Sequence, residues 1–278
     1  MTTSQPVADE RLRGPLLTPR ERPPRAGALS ASLTFALRSL LKIKRAPEGL
    51  FGALLQAVMF TLLFTYLFGG AIAGSPGAYL DFFLPGVSVI AVVLASMNTG
   101  FGLNVDIDQG VFDRVRSLPV WQSSVLVGAM LGDVVRYAVA SVVPLLLGLA
   151  LGFRPDGGPA GVVLALLFLQ VFAFSLAWIW ALVGVAVRQA ASAQMLIITL
   201  DSVLLFGSNI IAPRETMPSW LQTVIGVNPI THAATAVRGL MQGTETAGQM
   251  GRAFLACAIL VAVFAPLTAY AYSRRGRG

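Results

Sequence analysis

Six stretches of this chain are apolar over enough consecutive residues to cross a lipid bilayer, at about 49–68, 82–105, 134–153, 161–187, 190–211 and 252–272. A hydrocarbon core of roughly 30 Å takes about 20 residues of helix. Inside it every backbone donor and acceptor must be satisfied within the chain, which leaves helices or a closed barrel. Runs this long and this uniformly apolar have no strand alternation, so the spacing predicts helices. Only 12% of the 278 residues are charged and 55% are hydrophobic, against about 25% charged in ordinary soluble domains. Too little polar surface exists to coat a water-soluble globule. The expected fold is an all-α integral membrane protein with six transmembrane helices in one domain over residues 47–275.

Ahead of that domain, residues 1–27 hold five prolines and five arginines with no apolar core. They read as a disordered cytoplasmic tail and not as a secretory signal. Residues 28–46 differ: Leu29, Leu33, Leu37, Leu40 and Leu41 recur at helical spacing, with Arg38, Lys42 and Arg45 on the other side. A helix apolar on one face and basic on the other lies in the headgroup plane of an anionic leaflet. Pro47 ends it, because proline lacks the donor and its ring clashes with the preceding turn.

The most charged internal segment is residues 106–119, with Asp106, Asp108, Asp113, Arg114 and Arg116 between the second and third spans. So polar a loop sits in water at one membrane face, and we read it as the point where a soluble partner takes hold. Basic residues orient the bundle. Fifteen fall on the side of the termini: nine through Arg45, then Arg114, Arg116, Arg188, Arg274, Arg275 and Arg277. Only Arg154, Arg214, Arg238 and Arg252 fall on the other, with Arg136 inside the third span assigned to neither. Both termini and the charged loop are therefore expected in the cytoplasm.

Within the spans, Asn98, Thr99, Gly100 and Gly102 suggest close helix contact or a lining surface, or else a tolerant helix end. Asp133 and Arg136 are three apart at the start of the third run, and pair as an interfacial anchor or act in gating. Trp178 and Trp180 near the end of the fourth span read as interface anchors. Asp201 lies near mid-depth of the fifth. It is either a neutral acid bonded to Ser202, Ser208 or a neighbouring helix, or part of a transport pathway. Residues 212–248 are too long for a turn and carry Pro213, Pro218, Trp220, Asn228, Pro229, His232 and Arg238. Two short re-entrant helices dipping into the outer leaflet fit them. His232, the one histidine, and Cys257, the one cysteine, form no metal-binding or disulfide pattern.

No Gly-x-x-x-x-Gly-Lys sequence occurs, and Lys42 and Lys44 are the only lysines, so the chain has no Walker loop to cradle a nucleotide. No catalytic, metal or cofactor-binding residues are assigned. The chain reads as no enzyme, and active transport would draw its energy from another polypeptide. The front-loaded charge suits a membrane surface and not nucleic acid.

Residues 110–119, Gly-Val-Phe-Asp-Arg-Val-Arg-Ser-Leu-Pro, resemble the loop of membrane subunits (permeases) of ABC-2 type exporters, most nearly the daunorubicin-resistance drug-efflux type. A second match, Met217-Pro218-Ser219-Trp220-Leu221 with Asn228-Pro229 and Arg238-Gly239, is similar to that family's re-entrant segment. With the amphipathic leader and the six runs, the resemblance covers about residues 29–275. It implies a cytoplasmic coupling helix between spans two and three that docks a separate ABC ATPase subunit, on which ATP and Mg are bound. Asp108, Gly110, Phe112, Asp113, Arg114, Arg116, Leu118 and Pro119 would form that contact. It also implies a second permease subunit, identical or homologous, in a bacterial plasma membrane. Ala129 after Gly128 departs from the basic residue expected there, just beyond the coupling helix.

The function so implied is export of an amphipathic drug-like or lipid-like molecule, as in antibiotic efflux. A polysaccharide or lipid-linked glycan permease is the alternative within the family. A non-transporting membrane scaffold or sensor is the alternative outside it.

Overall fold

A computed structural model of the chain describes residues 48–110 and 124–275, together with Thr34, Leu37 and Leu41, each of which is helical. The tail and most of the amphipathic leader lie outside the described residues. Among the described residues all regular structure is helical. It comprises α1 (Glu48–Ala73), α2 (Pro76–Asp108), α3 (Ser124–Ala150), α4 (Gly158–Ala186), α5 (Ala190–Phe206), α6 (Ser219–Val227), α7 (Pro229–Gln242) and α8 (Ala247–Arg275), with a 3-10 turn at Arg214–Thr216.

Five helices, α1 to α4 and α8, are long and apolar enough to cross a membrane. The fifth apolar run is interrupted: α5 stops at Phe206 after 17 residues, which is about 25 Å of helix, short of a typical bilayer core. Gly207 caps it and residues 207–213 leave the helix. Elsewhere the helices outrun the apolar windows. Between α1 and α2 only Gly74 and Ser75 leave the helix, because Ser75 Oγ accepts from Ala78 N (3.2 Å) and Pro76 opens the first turn of α2. The third span begins ten residues before the expected window, at Ser124, so residues 124–132 are its first turns.

α2 is the axis of the bundle. In its apolar window 83% of residues are buried, against 22% for α1 and for α8. It packs on α1, α3, α4, α5 and α7. Its helix–helix contact with α4 is closest at Gly100 and Gly184, where a Cβ on Gly184 would overlap the Gly100 carbonyl. Small residues at a crossing let backbones touch, which is how helices associate without a hydrophobic drive from solvent. Around this contact Trp180 is fully buried and donates from Nε1 to Ser96 Oγ (2.9 Å). Trp178 is buried as well. Both tryptophans are thus packing residues and not interface anchors: two positions apart, they point to opposite sides of α4, and both sides are covered.

The outward faces are apolar too. Phe51, Leu55, Met59, Leu63 and Tyr66 of α1, and Phe254, Leu255, Ile259, Val263 and Leu267 of α8, are all exposed. A surface with so many large apolar groups in two continuous bands belongs in lipid.

Pro85 sits inside α2 and removes the donor that would have bonded the carbonyl of Asp81. α7 supplies a replacement, with Gln242 Nε2 donating to Asp81 O (3.1 Å). Arg238 Nε donates to Phe82 O (3.1 Å) one residue on. Tyr79 OH donates to Ile211 O (3.0 Å), so the start of α2, residues 207–213 and α7 meet at one end of the bundle. The other end gathers Leu103, Leu126, Ala181, Val185 and Tyr272 in a small apolar cluster. The charged loop leaves from that end.

Candidate functional site

The charged loop departs where α2 finishes. Asp108 is the last helical residue and is exposed. Gln109 N donates to Val105 O and Gly110 N to Ile107 O, each at 3.0 Å. Gly110 has φ +68°, a left-handed turn that side chains with a Cβ rarely adopt. Phe112, Asp113, Arg114, Arg116, Leu118 and Pro119 lie outside the described residues. The helices on either side of the loop, α2 and α3, are described, and they are joined by a buried polar lock.

That lock is built from Thr99, Asp133, Arg136 and Tyr137. Asp133 Oδ1 lies 3.0 Å from Arg136 Nη1. Thr99 Oγ1 donates to Asp133 Oδ2 (2.6 Å) and stands 2.8 Å from Tyr137 OH. A threonine hydroxyl has one proton, and the carboxylate takes it, so Tyr137 must donate to Thr99. Asp133 is 6% exposed and Tyr137 fully buried. The pairing expected from the three-residue spacing is present. Its setting is different, for Asp133 is deep in the α2–α3 contact and not at a helix entrance. The early start of α3 explains the shift: nine residues, about 14 Å of helix, separate Ser124 from Asp133.

α4 is tied into the same region. Asn104 Nδ2 donates to both Gly184 O and Val187 O (2.8 Å each), closing the orphan carbonyls at the end of α4. Gly100 makes the close contact described above, while a Cβ at Gly102 would meet nothing within 4 Å. The cluster at residues 98–102 thus divides, one glycine required by packing and one not. Thr99 and Asn104 were visible in the sequence only as polar atoms near a span's end. Tyr137 gave a weaker signal, an aromatic one helical turn after Asp133.

Asp201 of α5 is 4% exposed and its Oδ1 has no hydrogen-bond partner. Neither serine offered as a partner reaches it. Ser202 Oγ donates to Ile198 O (2.8 Å) and Ser208 Oγ to Leu205 O (2.6 Å), each satisfied on its own helix. Local serine-to-carbonyl bonds four or three residues back are the easier geometry. The structure brings Asp201 near neither Asp133 nor Arg136 in any hydrogen bond or ion pair.

The segment expected to form two short broken helices does so, as α6 and α7. Asn228 is the hinge between them. Its Oδ1 accepts from Ile230 N (2.9 Å), an N-cap for α7, with Pro229 in the first turn. Its Nδ2 donates to Leu204 O and Gly207 O at 2.6 Å each, and those two bonds are what hold the end of α5 open. Pro218 caps α6 and Trp220 is 68% exposed. Arg238 stacks its guanidinium over the Phe82 ring, 3.9 Å from the centroid.

Asn228→Ala is expected to lower unfolding stability by about 2–3 kcal/mol, one cap and two buried carbonyl bonds at about 1 kcal/mol each. Asn228→Asp should be worse, since it keeps the cap but turns a carboxylate oxygen onto two carbonyls. Thermal unfolding of the purified chain in detergent checks the order; equal losses would remove the hinge role.

Among the described residues no three histidine, cysteine, aspartate or glutamate side chains gather as a metal site. The geometry is that of a braced helical bundle with a polar loop at one end. The family profile described as ABC-2 type transporter matches residues 31–241. The chain is 48% identical over 260 residues to the daunorubicin resistance ABC transporter permease protein DrrB1 of Streptomyces coeruleorubidus, covering 94% of this chain and 92% of that one. It is 28% identical over 211 residues to the putative transport permease ycf38 of Cyanophora paradoxa, 73% of this chain and 71% of the relative. With the probable doxorubicin resistance ABC transporter permease protein DrrC of Mycobacterium tuberculosis it shares 24% over 239 residues, 78% and 81% of the two chains.

Proposed function

The chain belongs to the ABC-2 type transporter family, and we propose that it is the permease subunit of an exporter that carries an amphipathic, drug-like molecule across a bacterial plasma membrane. The observation that carries this is the nearly full-length similarity to a daunorubicin-resistance permease. Supporting it are five span-length apolar helices and a sequence with no Walker loop. In this reading α5 with residues 207–213 makes a sixth crossing, α6 and α7 are re-entrant, and both termini face the cytoplasm. ATP and Mg are held by a separate ATPase. A second permease subunit completes the path.

The grip on the ATPase is assigned to residues 108–119. A loop transmits a rigid-body motion when it is held by apolar and polar contacts together. Phe112 and Leu118 would provide the first, Asp113, Arg114 and Arg116 the second, while Gly110 sets the angle at which the loop leaves α2. A valine at φ +68° costs about 1–3 kcal/mol, which is a factor of roughly five to 150 in the population of that turn.

Gly110→Val and Arg116→Glu are therefore expected to cut export of a fluorescent anthracycline by about tenfold or more, with membrane insertion unchanged. Each should also weaken co-purification with the ATPase. Normal export by both variants would end the coupling assignment. An exporter that ignores anthracyclines while an exported glycan accumulates in its absence would point to the other branch of the family.

A further inference from the structure

Three of the four arginines on the side opposite the charged loop converge on one cavity. Arg214 comes from the 3-10 turn, Arg238 from α7 and Arg252 from the start of α8, and all line a space of about 350 Å³. That volume is roughly ten times the share of one water molecule in the liquid. The orientation rule disfavours arginine on this side, so topology does not account for the grouping. Glu215 is the one acid in the lining, leaving a surplus of two positive charges. Phe82 also lines the cavity, 26 residues before the end of α2, or about 39 Å of helix away from the loop.

The polar atoms around the cavity are not used up by the fold. Arg238 spends Nε on Phe82 O, but its buried Nη2 has no partner. Thr231 Oγ1, a hydroxyl that can donate, lines the same space and is buried without a partner as well, whereas the unpartnered Asn209 Oδ1 is an acceptor and offers an anion nothing. A buried donor left unmade costs about 1–3 kcal/mol, which a bound group would offset. Burial brings the Arg238 guanidinium down to about 10, still charged near neutrality. His232, also in the lining, is pushed down by burial and by Arg252 and Arg214, against a backbone hydrogen bond to Gly226. It therefore serves as a neutral member.

We propose that this cavity binds a phosphate group. Guanidinium forks match both carboxylate and phosphate oxygens, but three arginines arriving from three separate elements suit a tetrahedral oxyanion better than a planar one. The neighbouring helix indicates where the phosphate comes from. α6 exposes Trp220, Val224 and Val227, an apolar face with a tryptophan, the composition of a helix seated at a membrane interface. A phospholipid headgroup lies within reach of that depth, and inorganic phosphate shares its chemistry.

The test uses the full chain in an uncharged detergent and a phosphate-free buffer. Binding of inorganic phosphate and of glycerol 1-phosphate is measured by calorimetry, and retention of phosphatidylglycerol against phosphatidylcholine by native mass spectrometry. Saturable phosphate binding is expected, weakened at least about tenfold in Arg214→Gln/Arg252→Gln, the equivalent of one lost charge-assisted contact at 1.4 kcal/mol per decade. Both residues are exposed, so this variant should fold, and Arg154→Gln, outside the cavity, should bind as the unaltered chain does. Phosphatidylglycerol retained and displaced by glycerol 1-phosphate supports the site with a lipid headgroup as its ligand. Phosphate binding without lipid retention supports the site with a soluble ligand. No saturable binding of any of them, or equal binding by the double variant and the Arg154 control, overturns the proposal.

Discussion

Gly184→Leu is expected to yield little folded protein. The Cβ alone would collide with the Gly100 carbonyl, and that atom is helix backbone that cannot rotate away. α2 and α4 would have to separate. With them would go both Asn104 bonds to the end of α4 and the Trp180–Ser96 bond. Overpacking of this kind costs about 1–3 kcal/mol for the strain alone. Three interhelical bonds at about 0.6 kcal/mol each bring the total to about 3–5 kcal/mol, a large share of the stability of any domain. Gly102→Leu is the control, because its Cβ would meet nothing within 4 Å. The measurement is the monodisperse fraction after extraction and its thermal midpoint. Comparable losses at 184 and 102 would show that the close crossing is not what the glycine serves.

Asp133→Leu is expected to be the other severe change, and magnitudes decide why. Hydrogen bonds between helices in lipid contribute about 0.6 kcal/mol, and about 1.7 at most. Thr99→Val, which breaks two, should therefore cost about 1 kcal/mol and no more than about 3. Removing Asp133 does something else. It leaves the Arg136 guanidinium, 15% exposed, without its carboxylate, a loss of about 3–5 kcal/mol for a broken buried pair. Arg136→Met in the same chain should recover most of it, since the unpaired charge is the main cost and an apolar pair fits a helical contact. Unfolding of the three variants in detergent gives the comparison. If Asp133→Leu costs no more than Thr99→Val, the pair is solvated and the lock is misassigned. If the double variant is stable yet exports poorly, the pair takes part in the motion as well as in the packing.

Apolar run length made the class of fold legible, because lipid imposes the same demand on every crossing segment. The segment breaks at Pro218 and Asn228-Pro229 were legible as well, since those residues act on their own backbone. Helix ends were harder. The windows ended at Val105 and at Val134, but α2 runs on through Asp106, Ile107 and Asp108, and α3 starts ten residues earlier, on the far side of Asp133, whose charge Thr99 and Arg136 satisfy. The fifth run failed in the opposite direction. Its residues through Ile211 are apolar enough to continue, and the helix stops at Phe206 because Asn228, more than twenty residues away, takes the carbonyls of Leu204 and Gly207. The tryptophans of α4 misled for a related reason. Depth along a span suggests an interface, whereas the direction a side chain faces is set by which helix lies beside it.

Composition and charge order alone determined that this chain lives in lipid, that it has no nucleotide-binding loop and which family it resembles, because each of these is written in consecutive residues. Only the folded arrangement decided that Thr99, Asp133, Arg136 and Tyr137 form one lock, that Gln242 bonds the carbonyl Pro85 leaves without a donor, and that Arg214, Arg238 and Arg252 share a cavity. Counted between helices, these groups are 14 to more than 150 positions apart. Apart from the three-residue spacing of Asp133 and Arg136, nothing local records which partner the packing will bring, so the other pairings exist only once the helices have closed on one another.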